Sequence, residues 1–123
     1  MTWQHIKLTL ARTPEFAGGS DKHGYDLVAP INSEGLLDEA AWRSDKSKAY
    51  VRRFWDGEDE EHGHLIHTRH RTWAFSYAPG EDDDEPIFHL ESHRLAEGEY
   101  VTITETDGTA LPFRISAMAP VDA

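Results

Sequence analysis

The chain has 123 residues, of which 23 are acidic and 12 basic; its formal charge is −11 and it has no cysteine. Disulfides, thiolate nucleophiles and cysteine-bound zinc or iron–sulfur centres are therefore excluded, and the charge repels phosphate backbones and anionic lipid surfaces, so direct nucleic-acid binding is not expected. The length suits one domain over residues 1–123, with roughly two-thirds of the unfolded surface buried. No apolar run is long enough to span a bilayer and the start lacks a leader pattern, which leads us to expect an acidic, soluble, cytoplasmic monomer.

The elements follow in chain order. In "HIKLTLAR", Ile6, Leu8 and Leu10 alternate with His5, Lys7 and Thr9, the pattern of a half-buried strand. Pro14, Gly18, Gly19 and Gly24 then mark a loop longer than a hairpin needs, before a second strand in "YDLVAPI". A short helix is predicted near residues 36–48: Asp38 as N-cap, Glu39 in the first turn, Lys46 and Lys48 in the last, with Leu37, Ala41 and Trp42 facing the body. "YVRRFW" reads as a strand with aromatics on both faces and "DGEDEE" as a loop. "HGHLIH" and "TWAFSY" read as two arms of a hairpin around "TRHR", "APGEDDDEP" as a second acidic loop, and "IFHLESHRL" as a strand ending in a turn. In the last hairpin Val101 and Ile103 answer Phe113 and Ile115 across Asp107-Gly108, a pair suited to a type I′ turn. The sum is a mainly β fold of about seven strands and one short helix, as a small antiparallel barrel or a sandwich.

Four of the eight histidines fall in "HGHLIHTRH". On a strand His62 and His64 point to one side and His67 to the other. If the later segment is also extended, His89, Glu91 and His93 share a face, and His62, His64, His89 and Glu91 would make a ligand set for a divalent metal such as zinc. No glutamate follows the His-x-His pair at the spacing of a cupin, and "HLESH" lacks the zincin order, so no motif demands a metal and no cofactor is expected. The competing reading packs a histidine among the aromatics of the hairpin. A two-residue turn at Arg69-His70 would pair Ile66 with Trp73. A three-residue turn through Arg71 would pair His67 with Trp73 and Leu65 with Phe75, and the one-residue difference flips the face. Trp73, Phe75 and Tyr77 form the apolar stripe in either case.

The acidic runs lack the spacing of a calcium loop and read as solvated. Arg52, Arg53, Arg69 and Arg71, with Trp55 and Trp73, have the composition of an interface centre for a protein partner; the alternative is that these arginines neutralise the acidic runs. No serine elbow or phosphate loop is present, and no catalytic residue is assigned. The expected function is a non-catalytic binding or interaction module. The alternatives are a histidine-based metal protein or metal-dependent enzyme, and an acidic mimic of nucleic acid.

Overall fold

The computed structural model describes residues 1–68, 72–77, 84–87 and 89–121, except for the side chain of Glu91. The chain forms a closed antiparallel barrel of eight strands in sequence order: β1 (Thr2–Leu10), β2 (Ser20–Ile31), β3 (Tyr50–Trp55), β4 (Glu61–His67), β5 (Trp73–Ser76), β6 (Glu85–Ile87), β7 (Tyr100–Thr104) and β8 (Ala110–Pro120). Closure comes from β1, which pairs with β2 along one side and β8 along the other. Register shifts on both of its sides, at Thr9/Leu10 toward β2 and at Lys7/Leu8 toward β8, supply the bend that brings the last strand back to the first. A closed sheet leaves no edge to template pairing with another chain.

The period of two decides what fills the barrel. Ile6, Leu8 and Leu10 of β1, Leu27 and Ala29 of β2, Val51 of β3, Leu65 of β4, Phe75 of β5, Ile87 of β6, Val101 and Ile103 of β7, and Phe113 and Ile115 of β8 form one buried cluster. In the central hairpin His67 pairs with Trp73 and Leu65 with Phe75, and the Thr68 amide donates to the Thr72 carbonyl. Of the two registers open to the sequence this is the one that buries Leu65. His67 stacks on Trp73 with ring centroids 4.6 Å apart.

The helix is shorter than expected. Asp38 caps it, its Oδ1 accepting from the Ala41 amide at 3.0 Å, but α1 runs only over Glu39–Ser44, and Lys46–Lys48 form a separate 3₁₀ turn. The polar "SDKSK" offers no apolar face to continue it. Trp42 is the anchor: it is buried, its Nε1 donates to the Leu65 carbonyl at 2.9 Å, and its ring meets Trp73 edge-on at 4.7 Å. It closes one end of the barrel with Leu37, Leu90 and Leu95, all buried, and the Leu95 amide ties the two covering segments together by donating to the Gly35 carbonyl at 2.7 Å. Each such burial stabilises by roughly 1.5–3 kcal/mol.

Two expectations are corrected. The strand of "IFHLESHRL" stops early: β6 ends at Ile87 and Leu90–Ser92 form a 3₁₀ turn preceded by His89 in the left-handed region (φ 51°), so the stretch from His89 to His93 is not extended as a shared ligand face would need. The coil turns Leu90 and Leu95 into the core, which a continuing strand could not do for both. Nor is the last turn type I′, which needs positive φ at both central residues. Only Gly108 has it (φ 88°), the Gly108 amide donates to the Glu105 carbonyl, and the hairpin turns through Thr106 and Asp107 with Gly108 as the left-handed residue of a longer loop.

Candidate functional site

At the end of the barrel opposite Trp42, the same inward phase carries polar groups. Tyr25 lies two residues before Leu27, Arg53 two after Val51, Tyr77 two after Phe75, Glu85 two before Ile87 and Glu105 two after Ile103. Pairing of the strands brings all five together. Glu85 is 0% exposed, Glu105 7% and Arg53 9%. Arg53 Nη2 donates to Glu105 Oε1 at 2.9 Å and Nη1 to Glu58 Oε1 at 3.1 Å, while its Nε lies 3.6 Å from Glu85 Oε2. The Tyr25 hydroxyl sits between the two carboxyl groups, 3.1 Å from Glu85 Oε1 and in a short contact with Glu105 Oε2. Tyr77 donates to the same Glu85 oxygen at 2.5 Å. Arg53 Nε and Glu85 Oε2 are buried and have no hydrogen-bond partner among the described residues.

One glycine makes room for this cluster. A Cβ on Gly63 of β4 would lie 2.1 Å from the Ser76 carbonyl oxygen and 2.9 Å from the Tyr77 ring. The residue between His62 and His64 is therefore what lets β5 and Tyr77 lie close enough for the phenol to reach Glu85.

The electrostatics follow from burial. Desolvation and the neighbouring charge of Glu105 push the Glu85 carboxyl up to about 7 against the opposing pull of Tyr77, Arg53 and Tyr25. Burial, followed by the charges of Glu85 and Glu105, raises Tyr25 far above the usual phenol range, and burial with Glu85 does the same to Tyr77, so both remain neutral donors. Burial works against the Arg53 cation, but the hydrogen bond and charge of Glu105 outweigh it and hold the guanidinium charged.

Above the cluster lies an open cleft of about 600 Å³. Leu10, Phe16, Trp55 and Leu111 give it apolar walls, and Arg53 and Glu105 reach it from the cluster. Phe16 comes from the long β1–β2 loop. Buried His23 backs this wall, its ring 4.8 Å from Phe16 and 4.6 Å from Trp55, with Nδ1 held 2.7 Å from Ser20 Oγ. The Arg53 guanidinium lies 4.3 Å over the Trp55 ring. Glu15, Glu58, Glu61 and Asp107 also line it, so among the described residues five carboxylates face one arginine.

The residues singled out from sequence are distributed otherwise. Arg52 and Arg53 point to opposite sides of β3. Arg52 pairs outside the barrel with Asp26 and Glu60, and the hydrogen bond and charge of Asp26 hold it charged; Arg53 points in. Trp55 lines the cleft, whereas Trp73 is 1% exposed and belongs to the core. Arg69 and Arg71 lie outside the described residues. His62 and His64 are exposed on β4, with His62 Nε2 3.7 Å from Glu60; His89 sits at the 3₁₀ turn, and the Glu91 side chain lies outside the description. Among the described residues no group of three or more histidine, aspartate or glutamate side chains is placed to hold a metal ion. Glu85, the last residue of "EDDDE", is buried rather than solvated, and Glu58 and Glu60 of "DGEDEE" pair with the two arginines.

No helix among the described residues is long and apolar enough to cross a membrane. Comparison with known proteins finds no matching family model, no matching curated protein and no matching solved structure.

Proposed function

We propose that the protein is a non-catalytic binding module whose ligand site is the cleft at the open end of the barrel, and that the ligand is a small organic molecule. The observation that carries this reading is the placement of an acidic cleft with an aromatic wall directly over a buried, nearly complete polar network. Its volume is in the range of small-molecule sites, and it combines an aromatic wall with fixed polar groups that could orient a ligand. Catalysis is disfavoured by access: Glu85, whose proton affinity would suit acid–base work, does not line the cleft, and the oxygens of Glu105 are engaged by Arg53 and Tyr25.

This reading replaces the protein partner expected from sequence by a small one. Of the arginines and tryptophans expected to form a partner surface, Arg53 and Trp55 line the cleft, Arg52 faces away and Trp73 is in the core. The test is titration with phenethylamine and phenethyl alcohol, read by amide chemical shifts. Saturable shifts centred on Phe16, Trp55 and Leu111, with affinity lowered about tenfold or more by Trp55→Ala, are expected. Shifts scattered over the surface, or absent for both probes, would overturn the reading.

A further inference from the structure

Resting on the cleft as a ligand site, we propose that its ligand is an organic cation, taken up in exchange for a proton that Glu85 and Glu105 hold between them. The cluster is one proton short. Tyr25 has one hydroxyl proton but lies within hydrogen-bond distance of both carboxyl groups, and Tyr77 gives its own to Glu85. With both carboxylates ionised, one of the two Tyr25 contacts has no proton in it. The count of charges agrees. Around Glu85 on β6 stand Tyr25 from β2, Arg53 from β3, Tyr77 after β5 and Glu105 after β7. Two carboxylates meet one cation, and Glu58 of the β3–β4 loop draws on that same cation. One proton on the pair supplies the missing donor and lowers the surplus charge by one, and the upward displacement of Glu85 accords with this.

The cleft shows what would displace that proton. Glu105 belongs to both the cluster and the cleft wall. A cation placed against it lowers the surplus charge by another route, and the proton leaves to solvent. An anion would meet five carboxylates and an arginine already shared among Glu58, Glu85 and Glu105. The faces of Trp55 and Phe16 favour an organic cation over a bare metal ion, since aromatic rings attract ammonium groups and bury hydrocarbon.

The experiment is calorimetric titration of the whole protein with phenethylamine, protonated throughout, and with phenethyl alcohol, in buffers of different ionisation enthalpy at about pH 6 and about pH 8. We expect the amine to bind about tenfold or more tighter than the alcohol. Near one proton should be released at the lower pH and almost none at the higher, with affinity rising as pH increases. The alcohol should release none, and Glu85→Gln, its fold checked by its amide spectrum, should bind the amine without release. Equal binding of amine and alcohol overturns this inference and leaves the cleft as a site. Preferential amine binding without proton release in the wild type overturns the exchange. Binding of neither probe overturns the site itself.

Discussion

At one end of the barrel Trp42, Trp73, Leu90 and Leu95 pack into an apolar plug; at the other, the same strands carry Arg53, Tyr77, Glu85 and Glu105 in the same inward phase. Val51 and Arg53, Phe75 and Tyr77, Ile87 and Glu85, and Ile103 and Glu105 are each two residues apart on one strand or its immediate extension. The difference teaches how one scaffold divides stability from binding. Apolar burial is non-directional and indifferent to pH. The polar end depends on ion pairs and hydrogen bonds among buried groups, and so on the protonation of Glu85.

The comparison can be broken at either end. Arg53→Met leaves Glu85 and Glu105 buried without their cation, and should cost about 3–5 kcal/mol in urea denaturation at neutral pH, with a smaller cost in mild acid, where Glu85 holds a proton. Leu90→Ala at the plug should cost about 3 kcal/mol and the same amount in acid and at neutral pH. Equal pH dependence of the two variants would dissolve the distinction between the ends.

Glu85→Gln sharpens it. The folded state holds the Glu85 proton more tightly than the unfolded chain does, because the folded value is raised from 4.5 to about 7. Its contribution is full below the ordinary glutamate range and is lost as pH rises through about 7. A glutamine side chain has no such proton to lose, so the variant should gain on the wild type by up to about 3 kcal/mol between mild acid and alkaline pH, read from denaturation midpoints across the range. The smallest effect belongs to the neighbouring arginine. Arg52→Met removes ion pairs with Asp26 and Glu60 on the outer face and should cost under about 1 kcal/mol, less still in high salt. Adjacent arginines on opposite faces of one strand thus differ several-fold in their effect.

Much of the scaffold was legible in the sequence. The alternation at Ile6–Leu8–Leu10 and Val101–Ile103 and the cap at Asp38 are local signals, and each is where the alternation or the capping rule places it. The site was not, because its members are ordinary polar residues from separated segments, joined only by long-range register. Glu85 sits in an acidic run that reads as solvent-facing, and Arg53 beside another arginine reads as surface. One signal was available: each falls in phase with a core residue two positions away, at Ile87 and Val51. His62 and His64 face outward, and the glycine between them is what the cluster requires.

The most direct test of the shared proton is a carboxyl-carbon NMR titration of Glu85 in the unliganded protein. The expected midpoint is near 7, with the change felt at Tyr25, Tyr77 and Glu105. A midpoint in the ordinary glutamate range of about 4.3, with no other carboxyl-carbon signal of the cluster titrating near 7, would contradict the shared proton at the open end of the barrel.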